Sequence, residues 1–199
     1  MLVAATVVAV GTTSLTACAG ARRTAGMATP APVSTTETPD SGAPQVSDPL
    51  SADALDGSPC ETALTSDQVS TFLGDATRGR ESDSQLGPIC NWSSNTGSGA
   101  GIAISYQTKS DQGIGLAYRN VQPVAARWQP LEPIQGFPAV AYANSDDIRA
   151  CVIVVGVTDE LAFSIGLTLG DKATSEGKDS FDLGRQVADV VALNLKAKA

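Results

Sequence analysis

The chain has 199 residues, 42% of them hydrophobic but only 5% aromatic, and a net charge of −8. Its 13 Lys and Arg are scattered, with Arg22-Arg23 the one adjacent pair, so no basic patch offsets the repulsion from a phosphate backbone and nucleic acid is excluded as a partner. It has no histidine, which removes Ser-His-Asp and Cys-His triads, His-based metal sites and the commonest general base.

Leu2 to Val10 is an uncharged apolar run that reads as the core of a secretory signal. Behind it, Leu15-Thr16-Ala17-Cys18 resembles the bacterial lipobox: a branched apolar residue, two small residues that fit a signal peptidase pocket, then the cysteine that is diacylated. Residues 1–17 are therefore expected to be a lipoprotein signal peptide. Cys18 is the expected lipidation site, holding the protein to the membrane at the extracytoplasmic face. No Lys or Arg precedes the apolar run, unlike a usual signal, as a start codon assigned too late would leave it. A membrane-spanning helix over residues 1–21 has the length but is made poorly apolar by Gly11, Thr12, Thr13 and Ser14.

From Cys18 to residue 57 the chain is rich in Ala, Thr, Pro, Ser and Asp, with no apolar period. Such a composition predicts a disordered linker, 18–57, with a coil dimension of roughly 35 Å. The globular domain is expected over 58–199. In Leu64-Thr65-Ser66-Asp67-Gln68-Val69, Thr65 and Gln68 have capping-box spacing and Leu64 with Val69 forms a hydrophobic staple, predicting a helix that ends at Gly74. Cys90 to Ser93 and Ile102 to Tyr106 read as two strands around a turn at 95–99. Gly-rich 97–101 lacks the Lys-Ser/Thr and the following helix of a phosphate loop.

Ile114, Ala117, Tyr118 and Val121 share a helical face. Residues 131–134 and 139–143 predict short strands around a turn at Gly136-Phe137-Pro138. Cys151 to Val157 is a continuous apolar run, the pattern of a central strand, and Leu161 to Leu169 alternates strictly. These two are joined through Asp159-Glu160 as an antiparallel hairpin. Gly184, Val187, Ala188, Val191 and Leu195 form the apolar stripe of a last helix, 180–195. The fold class is α+β: an antiparallel sheet of about five or six strands with helices packed on one face.

The order Pro59-Cys60, Cys90-Asn91-Trp92, Gly136-Phe137-Pro138-Ala139, Cys151-Val152-Ile153-Val154 and Asp179-Ser180-Phe181, behind a lipobox and a low-complexity linker, resembles the actinobacterial lipoproteins grouped as domain of unknown function 3558. The resemblance covers roughly 58–196 and implies no established activity. It usually places a fourth domain cysteine where Phe181 stands, so two disulfides cannot both form here. Three domain cysteines outside the membrane are expected to yield one disulfide. Cys90–Cys151 is preferred, since both residues begin strands of one sheet, which would leave Cys60 as the orphan whose family partner Phe181 replaced. Cys60–Cys90 is the alternative, with Cys151 buried. The spacing offers no CxxC redox or zinc motif.

Asp146-Asp147 has no Asp-x-Asp-x-Asp ladder around it and reads as a solvated turn, and the sequon Asn91-Trp92-Ser93 as incidental. Trp92 and Trp128 are assigned to core packing before ligand stacking. Neither a metal site nor a catalytic set is expected, and no cofactor. The expected function is a non-enzymatic cell-envelope module that binds an unidentified envelope protein or ligand. The alternatives are a carrier of an apolar ligand or lipid and, last, a carboxylate hydrolase.

Overall fold

A computed structural model describes residues 41–75 and 77–199. The chain divides into units 1–36 and 37–199, and every described residue belongs to the second. The signal segment, Cys18 and the first half of the linker lie outside the described residues.

The sheet has seven strands, one or two more than expected: β1 (Arg80–Asp83), β2 (Pro88–Ser93), β3 (Gly101–Gln107), β4 (Arg127–Ile134), β5 (Phe137–Ala143), β6 (Ala150–Gly156) and β7 (Ala162–Thr168). All neighbours are antiparallel, in the order β1-β2-β3-β7-β6-β5-β4. The apolar run of β6 and the alternating β7 pair as the expected hairpin, Cys151 opposite Leu167 and Val155 opposite Phe163. The turn between β4 and β5 sits one residue earlier than expected. Gln135 and Gly136 both take left-handed backbone, φ 52° and 89°, the geometry that matches the twist of a two-residue hairpin. Phe137 and Pro138 therefore already belong to β5.

On one sheet face Cys90, Trp92, Ile104, Tyr106, Ile153, Val155, Phe163 and Ile165 form the main core. It is covered by α1 (Pro59–Thr62), α2 (Ser66–Leu73) and the long α5 (Ser180–Lys198), which buries Gly184, Val187, Ala188, Val191 and Leu195 as the apolar stripe requires. A Cβ on Gly184 would lie 2.9 Å from both Cys151 Sγ and Ile153 Cγ1, so glycine lets α5 approach β6. The capping box of α2 forms in full: the Gln68 N–H donates to Thr65 Oγ1 at 3.3 Å and the Thr65 N–H to Gln68 Oε1 at 2.8 Å. Gly74, at φ 82°, ends the helix.

The helices do not all lie on one face. α3 (Gly115–Asn120) packs on the opposite face, where Ile114, Ala117, Val140, Val154, Ala162 and Ala43 form a second cluster. α4 (Asp171–Ser175) is a short turn of helix with no buried residue.

The linker boundary also moves. Residues 43–57, expected to be part of a disordered spacer, pack against the domain. Ala43 joins the α3 cluster, while Val46 and Leu55 join the main core. The Val46 N–H donates to Asp159 Oδ1 at 3.0 Å and the Leu50 N–H to the Val157 carbonyl at 3.0 Å, so the segment rounds the turn between β6 and β7. Lys198 Nζ donates to the carbonyls of Asp53, Ala54 and Asp56, fastening the end of α5 to the turn Ala52–Leu55. The composition is that of a linker, but a few widely spaced apolar side chains are enough for a strap that borrows its partners from the domain.

Candidate functional site

Ser58 caps α1 by accepting from the Cys60 N–H at 3.1 Å, with Pro59 at the first helical position. This places Cys60 over β2, where it is disulfide-bonded to the fully buried Cys90, their Cα atoms 5.0 Å apart. The preferred pair Cys90–Cys151 is thereby corrected in favour of Cys60–Cys90. Cys90 is on β2 and Cys151 on β6, with β3 and β7 between them. Three strand spacings amount to about 14 Å, beyond the reach of a disulfide. Two residues that start strands of one sheet are neighbours only if their strands are adjacent, and β2 and β6 are not.

Cys151 is the free cysteine among the described residues and is buried. Its thiol donates to the Ser180 carbonyl at 3.2 Å, and burial pushes it up to about 11. A thiol so disposed is a poor nucleophile at neutral pH. Phe181, the next residue, packs in the same core, so the position at which the resemblance implies a fourth cysteine lies by Cys151 and not by Cys60. Asp179 caps α5 by accepting from the Phe181 N–H at 2.9 Å and pairs with Arg127.

The crosslink borders an open pocket of about 560 Å³, lined by Cys60, Glu61, Leu64, Ser66, Thr77, Arg78, Gly79, Glu81 and Trp92. This volume is within the range of small-ligand sites. Trp92 and Leu64 are core side chains that form its floor, and Glu61, Arg78 and Glu81 are exposed at its rim. Glu81 accepts a hydrogen bond from Ser58 Oγ. The wall at residue 79 must be glycine. A Cβ there would lie 2.4 Å from Cys90 Sγ and 2.9 Å from both Cys60 Sγ and Trp92 Nε1, contacts that only a shift of backbone or crosslink would relieve. Two carboxylates, one guanidinium and two hydroxyl residues around an apolar floor can hold a polar or cationic group.

The other sequence candidates lie elsewhere. Asp146 and Asp147 are in the exposed connection from β5 to β6, where Asp147 Oδ1 accepts from the Arg149 N–H at 2.9 Å, as a solvated turn does. No group of three or more His, Cys, Asp or Glu among the described residues can hold a metal. Asn91 is on β2, its amide donating to Ser82 Oγ at 3.1 Å. Trp92 is buried as assigned, but Trp128 is half-buried on the opposite sheet face, edge-on to Tyr118 at 5.0 Å and stacked with Tyr142 at 6.3 Å. Glu81 carried no signal in the sequence, because β1 is exposed at all four positions and so has no hydrophobic period, and Arg78 and Gly79 lie in the irregular segment before it.

Comparison with curated proteins finds no match, and comparison with solved structures finds none either. Comparison with protein families matches residues 13–193 to one described as "Protein of unknown function (DUF3558)". With nearly the whole chain matched, this protein belongs to the DUF3558 family.

Proposed function

We propose that the protein is a lipid-anchored binding module at the extracytoplasmic face of the cell membrane. Diacylated Cys18 holds it there, and the pocket beside the crosslink receives an envelope protein or ligand. The Cys60–Cys90 disulfide carries this reading. Disulfides persist in oxidising compartments, so the crosslink agrees with export through the apolar segment 2–10. It also fixes the walls of an open pocket. The charged rim of Glu61, Arg78 and Glu81 suits a polar partner better than the apolar cargo of a carrier.

Cells expressing the protein are fed an alkynyl fatty acid, and the protein is tested for label. Label on the wild type and none on Cys18→Ser is expected. Label that survives the substitution would remove the anchor from the proposal.

A further inference from the structure

The two edges of the sheet differ. β4, at one edge, contains Pro130 and Pro133 and a register shift between Leu131 and Ile134, features that remove donors and blunt an edge against pairing. β1, at the other, has no proline and among the described residues pairs only with β2.

The phase of the β1–β2 ladder shows which groups face outward. Ser84 and Gly87 close the hairpin by exchanging both backbone bonds, at 3.0 and 3.2 Å. In an antiparallel pair bonded and non-bonded positions alternate. The registered pairs Ser82–Ile89 and Arg80–Asn91 are therefore bonded, and Asp83–Pro88 and Glu81–Cys90 are not. Pro88, with no N–H to give, fits its place. The N–H and C=O of both Glu81 and Asp83 thus point away from β2, toward the side where no other described strand pairs.

Side chains follow the same register. Glu81 is opposite Cys90, hence on the core face, and lines the pocket. Asp83, on the same face, is held by Lys109 Nζ at 2.7 Å. A strand added beside β1 would lie about 4.8 Å out, and its residue opposite Glu81 would direct its side chain to that face, at the pocket mouth. There it would meet Glu81 and Glu61 against the single cation Arg78.

We propose that β1 binds an extended peptide by antiparallel strand addition, the backbone of Glu81 and Asp83 supplying the hydrogen bonds and the pocket taking a lysine or arginine side chain opposite Glu81. This rests on the reading of the pocket as a binding site. A second copy of the chain is the wrong occupant: β1 against β1 would set the acids Glu81 and Asp83 of two chains, each of net charge −8, against one another.

The probe is a fluorescent, acetylated and amidated peptide, Thr-Thr-Val-Lys-Val-Thr-Thr, titrated into the oxidised protein and followed by polarisation. N-methylation of the Lys nitrogen, which would face β1, is expected to weaken binding about tenfold or more, whereas N-methylation of the following Val, which would face away, leaves it nearly unchanged. Glu in place of Lys also weakens binding. Glu81→Gln reduces the affinity for the Lys peptide but not for a Thr-centred one. Glu81→Pro removes an outward donor without touching the bonds to β2 and abolishes binding. If that variant does not fold, the N-methylated pair still decides on the wild type. Equal binding of both N-methylated peptides would overturn strand addition while leaving a side-chain pocket in place. Absence of binding by the parent peptide would overturn the proposal outright, with the lipid-labelling result unaffected.

Discussion

The guanidinium carbon of Arg127 stands 3.9 Å from the centroid of the Phe181 ring, and the same guanidinium pairs with Asp179, the cap of α5. A cation over an aromatic face contributes about 0.5–2 kcal/mol. Arg127, Asp179 and Phe181 thus hold the start of α5 against the sheet where relatives are expected to use a second disulfide.

Phe181→Cys should restore that crosslink with Cys151, whose sulfur already reaches the Ser180 carbonyl at 3.2 Å. With Cys18 replaced by Ser in both proteins, titration of thiols in denaturant is expected to find one with residue 181 unchanged and none in the variant. Stability should change little. Closing the loop gives roughly 3.5 kcal/mol, and losing a buried phenylalanine costs about 3–5 kcal/mol. A variant with two titratable thiols would show that residue 181 does not face Cys151.

Cys151 also makes a pH prediction. Its thiol titrates at about 11 when folded against an ordinary value of 9.0. The folded state therefore binds the proton more tightly, and the stabilisation, complete below pH 9, is lost as pH rises toward 11. Denaturant midpoints should fall over that window. Cys151→Ala should flatten the part due to this group, leaving the share of Tyr106, whose hydroxyl burial pushes up to about 12. An identical slope with and without the thiol would contradict the assignment.

Gly79→Ala tests the wall of the pocket. With the new methyl placed 2.4 Å from Cys90 Sγ, an overpacking cost of about 1–3 kcal/mol is expected, measured as a lowered thermal midpoint. Gly74→Ala, with nothing within 4 Å of the added carbon, should instead show the milder strain of a left-handed position, about 1 kcal/mol. Equal losses would mean that 77–79 does not lie on the crosslink.

Leu55→Ala probes the strap. Leu55 is buried in the main core, so its truncation should cost about 2–4 kcal/mol in chemical denaturation. If 43–57 were a free spacer, the substitution would be silent.

Most of the sheet could be read from residue order, because β3 and β7 carry their period in Ile102, Ile104 and Tyr106 and in Phe163, Ile165 and Leu167, and β6, buried on both faces, its continuous apolar run from Cys151 to Val155. The capping box of α2 is local chemistry and needed no tertiary information. What escaped depends on partners distant in sequence. β1 is exposed and gains its place only by pairing with β2. The strap has too few apolar residues to form a core of its own. Pairing Cys60 with Cys90 required the strand order, which a list of strands does not contain. The pocket was missed for the same reason: Glu61, Arg78 and Glu81 become neighbours only once α1 is tied to β2.

The strap also determines how the domain answers a mechanical load. A pull transmitted from the N-terminal side first meets the bonds Val46–Asp159 and Leu50–Val157, together with the Lys198 clamp. These few contacts release one after another, whereas the strands share theirs along whole ladders. Peeling residues 41–57 would pay out about 55 Å of extended chain before any strand carried the force, so the strap would work as a shock absorber for a load entering from that side.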